Sequence, residues 1–380
     1  MFGKKQIYYP IAIDVGASSL KLLQLTDARG QPALQAAAQY DLSASPHDSP
    51  DYHEALRHAL MDARKRSPFL GRKAVVSLNS GEFQMKSLRL PQMPADELAS
   101  AVEFEAQDRF ELGGKPAQFR HLAAGEVRHG NEIKEEVLVF ATPDDIVEQR
   151  MKLVASVGLE PIAVDLAPCA LARGFVRFLR RADDANAVNA FVDVGWRGAF
   201  IVITKGMELV FIKTVDIGGS TFTDAVARAL NLNAKQALEL RVKRIAANAG
   251  RRTQDQGTFA LDMDAAVHDA LRPRLEQLVK DVQLCLRYYA VTFRGQRPDS
   301  LTFVGGEALE PSLLKIVSEE IDVPCMIGHP LRGIANLGAL DTGRQAAHPA
   351  WAVACGLALR GTPWVSPAQA TTRKPVAAQA

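Results

Sequence analysis

Two segments of the chain, Asp14-Val15-Gly16-Ala17-Ser18-Ser19 and Asp193-Val194-Gly195-Trp196-Arg197-Gly198, place an aspartate two residues ahead of a glycine at the end of an apolar run. Phosphate groups are held by backbone NH groups that converge on them, and glycine lets the chain approach without a Cβ in the way. In the first segment Ser18 and Ser19 add hydroxyl donors, Lys21 adds a cation, and Asp14 is placed to order a hydrated magnesium ion. One such turn is also what any hairpin uses for its backbone preferences. A second, about 180 residues on, changes the weighing, because Asp193, Gly195 and Gly198 can face the first turn and clamp a phosphate chain from the other side.

Two more glycine sites join them. Gly218-Gly219-Ser220-Thr221 opens a predicted helix, whose free NH groups and positive dipole end favour an anion; an ordinary helix cap fits the same residues. Gly305-Gly306-Glu307-Ala308 follows a predicted buried strand and would let a flat base lie against the backbone, although a plain strand-to-helix turn has the same form. The eight histidines are scattered, with no adjacent nucleophile motif and no metal-ligand spacing, and no catalytic residue is assigned.

The elements that must position these residues repeat. Ile11–Ile13 and Leu20–Leu25 flank the first turn as strands, followed by a third strand near 33–40, a helix over 49–65 and a strand over 74–78. Phe191 and Val192 lead into the second turn, 199–203 return from it, and a third strand over 209–215 follows. Strand, glycine turn, strand, strand, helix, read twice, predict a duplicated α/β architecture. Between the copies, residues 83–165 read as a compact α+β insertion with strands at 84–90, 117–123 and 137–142 and helices over 94–110 and 143–157. An Ala-rich helix is expected from Asp165 to about Arg181, and helices over 221–230 and 234–247. Leu271, Leu275, Leu278, Val282, Cys285 and Tyr289 mark a long amphipathic helix, with Pro273 at its start or at a bend.

Composition bounds the rest. At 380 residues and 47% hydrophobic content the chain has room for two domains with cores, and a net charge of +2 argues against nucleic acid as a partner. The four cysteines, Cys169, Cys285, Cys325 and Cys355, show neither zinc nor redox spacing and read as reduced core residues of a cytosolic protein. No stretch approaches the roughly 20 apolar residues of a membrane helix, and the basic amino terminus is interrupted by Asp14 and Gly16 before a signal-peptide core can form. Membrane contact is therefore expected only through a partner or a surface patch.

Taken in order, the four sites resemble the actin, sugar-kinase and heat-shock chaperone superfamily. Ile11 to Lys21 resembles its first phosphate motif, Val164 to Gly174 the first connecting helix, and Phe191 to Ile203 the second phosphate motif. Leu301 to Ala308 is similar to the adenosine motif, and His348 to Gly361 to the second connecting helix. The insertion stands where the FtsA-type subdomain does. Its opening, Lys86-Ser87-Leu88-Arg89-Leu90-Pro91 with Met93-Pro94 and Ala101-Val102-Glu103-Phe104-Glu105-Ala106, and its close, Val157-Gly158-Leu159-Glu160-Pro161 with Val164-Asp165, are similar to the PilM family of type IV pilus assembly proteins.

The resemblance implies a first actin-like domain over 6–82 and 166–182 completed by 348–361, the insertion over 83–165, a second domain over 183–347 and a disordered tail over 362–380. It further implies ATP and magnesium as ligands, with Asp14 and Asp193 holding the metal through water. The partner implied is PilN, a bitopic inner-membrane protein whose short cytoplasmic tail sits in a groove beside the insertion, near 83–90 and 104–110. Other platform proteins and motor ATPases are further candidates, with the protein cytoplasmic at the inner face of the inner membrane. The chain departs from the family pattern at three places: Trp196, Arg197, Gly198 and Ala199 replace small hydroxyl residues; Glu307 replaces a glycine; and Glu239 and Arg241 are only approximate counterparts of the residues that face ribose and base. Three functions follow for comparison: an ATP-gated scaffold with slow hydrolysis at most, a degenerate scaffold without nucleotide binding, and a sugar-kinase-type phosphotransferase; a related secretion-system platform is the alternative to the pilus.

Overall fold

The computed structural model describes residues 7–42, 49–129, 132–248, 261–293, 297–340 and 347–365. In chain order the elements are β1 (Ile11–Val15), β2 (Ser19–Ala28), β3 (Gln31–Asp41), α1 (Pro50–Arg66), β4 (Lys73–Leu78), β5 (Gln84–Pro91), α2 (Ala95–Arg109), β6 (Ala117–His129) and β7 (Glu132–Pro143). Then come α3 (Asp144–Ser156), β8 (Glu160–Leu166), α4 (Ala167–Val176), β9 (Val188–Val194), β10 (Ala199–Lys205), β11 (Glu208–Val215), α5 (Gly219–Ala229) and α6 (Ala234–Asn248). The chain closes with α7 (Leu261–Thr292), β12 (Ser300–Val304), α8 (Pro311–Glu320), β13 (Cys325–Ile327) and α9 (Ala352–Ala358).

Two five-stranded sheets share one topology. The first runs β3-β2-β1-β4-β8 and the second β11-β10-β9-β12-β13. In each, a meander of three antiparallel strands is extended by two parallel ones on the side of its first strand. Every residue of β1 is buried, as a central strand covered on both faces requires, which is why Ile11-Ala12-Ile13 reads as an unbroken apolar run rather than an alternation before it reaches Asp14. Helix α1 covers one face of the first sheet; Ser49 caps it by accepting from Tyr52 N at 3.1 Å, and Arg64, Lys65 and Arg66 sit at its negative end.

Helices α4 and α9 lie between the two sheets within one large core that also holds Ala12, Leu23, Val75, Val192 and Ile201. They cross at glycine: a Cβ on Gly356 would fall inside the carbonyl of Ala170, and one on Gly174 would stand 3.4 Å from Ala352 O. Arg173 fastens the crossing by donating to Gly356 O at 3.1 Å.

A third sheet, β5-β7-β6, carries α2 on a small core of its own, built from Leu88, Leu90, Leu98, Val102, Phe110 and Val139. The pairing of β8 with β4 takes 160–166 out of this unit and into the first sheet, and Val154 of α3 packs in the first domain's core with Leu159. A parallel partner reached only after a long crossover leaves no local trace in the sequence.

Other expectations shift with burial. The helix after Asp165 stops at Val176, where Arg177 folds back to bond Gly174 O and reaches Pro330 O. Pro273 lies inside an unbroken α7, whose buried face of Val267, Leu271, Leu275 and Leu278 packs on both sides of the lost hydrogen bond. At the start of the segment expected as a tail, Thr362 and Val365 are buried, and Trp364 packs edge-on to Tyr9 at 5.0 Å and donates to Gly30 O at 3.0 Å. The remaining 366–380 lie outside the described residues.

Candidate functional site

The first turn is built by backbone closure between β1 and β2. Gly16 N donates to Ser19 O at 2.9 Å, and a Cβ on Gly16 would stand 2.8 Å from that oxygen. The register sets Lys21 opposite Asp14, and Lys21 Nζ reaches Ser19 Oγ at 2.7 Å. Tyr52 of α1 donates to Gly16 O at 2.9 Å and Leu42 N to Ser18 O at 2.8 Å, so both ends of the turn are tied down. Ser77 of β4, which the sequence reading missed, accepts from Val15 N and donates to Asp14 Oδ1 at 3.4 Å. Asp14 and Lys21 are each only 7% exposed. Burial raises the Asp14 pKa above the ordinary aspartate value, with the Lys21 charge and the Ser77 hydrogen bond working against it.

The second turn repeats the closure: Gly195 N donates to Gly198 O at 2.9 Å. Opposite Asp193, however, stands Phe200 in place of a lysine. Burial, and then the carboxylate of Asp14, push Asp193 up to about 7, and Lys21 offsets part of this. The two turns of the two sheets therefore bring Asp14, Lys21 and Asp193 into one electrostatic cluster, a pair of repelling carboxylates with a single shared cation. Trp196 is partly buried in the second turn, Arg197 is exposed, and no hydroxyl side chain occurs between Val194 and Ala199.

The glycines at 218 and 219 sit where α5 meets the second turn. Gly219 N donates to Gly195 O at 3.0 Å and Ser220 N to Trp196 O at 2.8 Å, so these amides of α5 are engaged by the carbonyls of the second turn rather than free for an anion. A Cβ on Gly218 would lie 2.5 Å from Gly195 O, and one on Gly198 2.6 Å from Val215 O. These glycines let backbone meet backbone.

At the end of β12, Gly305 adopts φ +95, and a Cβ there would run into Asp193 Oδ1 and Val194 O. Gly306 faces open space. Glu307 N donates to Val194 O at 3.0 Å, which turns its side chain back over α5. There Glu307 Oε2 accepts from Arg241 Nη2 at 2.5 Å, and its other carboxylate oxygen and the Trp196 ring occupy the place a side chain at Gly219 would take. Arg241 also donates to Gly219 O and Thr223 Oγ1, each at 3.1 Å, and to Glu310 at 3.2 Å. Arg244 continues the network to Glu310, to Ser312 Oγ at 3.0 Å and to Asp264 at 2.7 Å. Glu239 does not join it: two residues from Arg241 on α6, it points away and is exposed.

Asp165, at the head of α4, is buried with Arg173 at 2.8 Å and Arg360 at 2.9 Å on the same oxygen. Burial acts to raise its pKa, but the two guanidiniums outweigh it and hold the group below the usual aspartate range. Its charge is spoken for, which makes it a poor proton acceptor. Among the described residues no group of three or more His, Cys, Asp or Glu forms a metal cluster.

The insertion meets the second domain along β11 and α7. Phe83 stacks on Phe200 at 6.2 Å, Glu136 accepts from Arg89 Nε at 2.9 Å, and the Tyr288 hydroxyl lies 3.5 Å from Glu136. A cavity of about 120 Å³ opens there, lined by Met85 and Ser87 on one side and by Phe211, Ile212, Tyr288 and Phe293 on the other. Of the residues expected to line a groove, Leu88, Leu90 and Phe110 are core, whereas Phe104 is 73% exposed.

Two sheets of one topology, hinged on crossing helices and closing on paired aspartate turns, define an actin-like ATPase fold. The chain belongs to the family described as type IV pilus assembly protein PilM, whose model matches residues 12–362. Its structure is similar to that of a "PilM-PilN type IV pilus biogenesis complex", with 22% identity and a TM-score of 0.72 over 93% of this chain and 98% of that one. It is also similar to the ethanolamine utilization protein EutJ from Carboxydothermus hydrogenoformans, with 14% identity and a TM-score of 0.52 over 93% of this chain and 89% of that one. At these identities the likeness is one of fold. Among the described residues no helix is long and apolar enough to cross a membrane.

Proposed function

We propose that the chain is a cytoplasmic, nucleotide-binding scaffold of the type IV pilus assembly platform at the inner membrane, and that it recruits the cytoplasmic tail of a PilN-like bitopic protein. The observation that carries the nucleotide part is the cluster of Asp14, Lys21 and Asp193 at the meeting of the two domains. A buried and a partly buried carboxylate sharing one cation are a deficit of positive charge that a magnesium ion would fill, and Lys21 with the serines of the first turn suits the phosphates. Bound there, ATP with its magnesium supplies a polyanion and a hard cation shared by both domains. Asp14 and Asp193 would hold the metal through water, Ser18, Ser19 and Lys21 would orient the phosphates, and α4 and α9 would transmit the spacing of the turns.

The residues suit the phosphates; at the end where the resemblance puts the base, Glu307 and Trp196 stand over Gly219 and would have to move for a base to lie there. The second turn has no hydroxyl to position water, and Asp165 is doubly ion-paired, so a binding role is favoured over rapid hydrolysis and over sugar phosphorylation. The filled base end is also the observation that favours the second reading, a scaffold that has lost its nucleotide.

The tail of the partner is proposed to lie along the insertion, where exposed Phe104 and the cavity beside Met85 offer apolar surface. Titration with a fluorescent ATP analogue and magnesium tests the first part. Charged hydrogen bonds contribute about 1.5–3 kcal/mol, so Lys21→Ala and Asp14→Ala each weaken binding about tenfold or more. Equal, weak signals from all three proteins would sink the nucleotide-bound reading. Pull-down with the amino-terminal peptide of the neighbouring bitopic protein tests the second: capture is expected from the wild type and reduced by Phe104→Asp, and no capture with or without ATP removes the recruiting role.

A further inference from the structure

We infer that Glu307 is an intramolecular lid on the base end of the cleft, occupying through its ion pair with Arg241 the space that a bound nucleotide would need. The inference deepens the nucleotide reading proposed above and rests on it. Four observations converge. The Glu307 amide is bonded to Val194 O directly behind the second turn, so its side chain is anchored within one residue of the cleft. Its carboxylate reaches back over α5 to Arg241 at 2.5 Å. The bare backbone of Gly219 is what makes room for it, since any Cβ at that position would overlap Glu307 Oε1 and crowd Trp196. And the Nε of Arg241, a residue 1% exposed, is among the few buried side-chain nitrogens left without a hydrogen-bond partner.

Glu307 is the member of this network that can leave. Its side chain is 12% exposed, whereas Glu310 is fully buried between Arg241 and Arg244. Without Glu307, Arg241 keeps Glu310 at 3.2 Å, Gly219 O and Thr223 Oγ1, so no buried charge is stranded. A nucleotide entering this end must displace the Glu307 carboxylate, and the two compete for one place. If the displaced state is populated to about a tenth or less, the apparent affinity is lowered about tenfold or more relative to a chain without the side chain.

The test compares the full chain with Glu307→Ala and Glu307→Gln in two measurements, one of them free of nucleotide. In the first, acrylamide quenching of Trp196 is read with Trp196→Phe as the blank. The lid predicts greater quenching in Glu307→Ala, because the carboxylate and the indole cover the same glycine. In the second, titration with a fluorescent ATP analogue and magnesium is expected to give about tenfold tighter binding to Glu307→Ala, with a smaller gain for Glu307→Gln, which keeps the bulk and loses the charge. Unchanged quenching, together with equal or weaker nucleotide binding in Glu307→Ala, overturns the lid and leaves the nucleotide reading intact. Increased quenching with no nucleotide bound by any variant supports the lid over Gly219 and sinks the nucleotide reading instead. Glu310→Gln is the structural control: it strips the buried partner of two arginines and is expected to lower the melting temperature without raising affinity.

Discussion

Burial of Asp193 beside the Asp14 carboxylate makes a pH-dependent prediction that a single substitution tests. Asp193 moves from an unfolded value of 3.8 to about 7 in the fold, by burial first and by the Asp14 carboxylate second. A raised carboxylate pKa means that the folded chain binds more protons than the unfolded one between those limits, so stability falls as pH rises from about 4 to about 7 and stays low above. At about 1.36 kcal/mol per pKa unit the shift corresponds to a ceiling of about 4 kcal/mol. Because Asp193 keeps part of its surface open to solvent, about half of that, near 2 kcal/mol, is the expected effect. Asp193→Asn removes the charge at nearly constant shape, and Asp193 side-chain bonds are not needed to hold the turn, which closes through Gly195 N and Gly198 O. The variant is therefore expected to come closest to the wild type near pH 3, where Asp193 is protonated in both the folded and the unfolded chain, and to exceed it by about 2 kcal/mol at pH 8. Urea denaturation followed by fluorescence across that range reads the difference. A variant no more stable than the wild type at pH 8, or one whose stability declines as steeply between pH 5 and 7, would refute the reading of Asp193 as a carboxylate disfavoured by burial and by the Asp14 charge.

Two further substitutions separate glycines that matter from those that do not. Gly305→Ala forces a Cβ into Asp193 Oδ1 and Val194 O at φ +95 and is expected to cost about 3 kcal/mol or more, whereas Gly306→Ala, with nothing within 4 Å, stays within about 0.5 kcal/mol of the wild type in melting experiments. At Gly356 helix propensity alone favours alanine by about 1 kcal/mol, but its Cβ would overlap Ala170 O and drive α4 from α9; net destabilisation of about 2 kcal/mol or more by thermal melting is expected, and a net gain would show that the crossing is loose.

The first turn was legible because its parts are local. Gly16 and Ser19 close on each other, Lys21 faces Asp14 across a hairpin, and the same spacing recurs at Asp193. The repeat carried the architecture for the same reason, since the strands that flank each turn are nearest neighbours in the chain. What stayed hidden depends on distant partners. The amides of Gly219 and Ser220 look free in sequence and are engaged only because the second turn's carbonyls come down on them. Strand β8 finds β4 across the whole insertion. Glu239 and Arg241 stand two residues apart with similar claims, and the choice between them is made by Glu307 and Glu310 lying beneath one face of α6. Ser77 had a weaker signal, a lone hydroxyl in the apolar run Ala74-Val75-Val76-Ser77-Leu78, in a strand that pairs with β1 just ahead of Asp14.

The unequal turns are better understood through what each one touches. The first is pinned to its own domain by Tyr52, Leu42 and Ser77, so it is a fixed jaw. The second faces outward along β10: Phe200, the register partner of Asp193, stacks on Phe83 at the root of the insertion, and Phe83 in turn meets Phe140 of the insertion's central strand. Close-packed rings do not slide independently, so a change in the separation of the two aspartates moves the surface on which the insertion rests. A second contact, Glu136 with Tyr288, lies farther along the same interface and would be strained by the same motion. The second turn carries Trp196 and Arg197 and no hydroxyl side chain; on the nucleotide-binding role proposed above, the insertion is where a change in the cleft would be read.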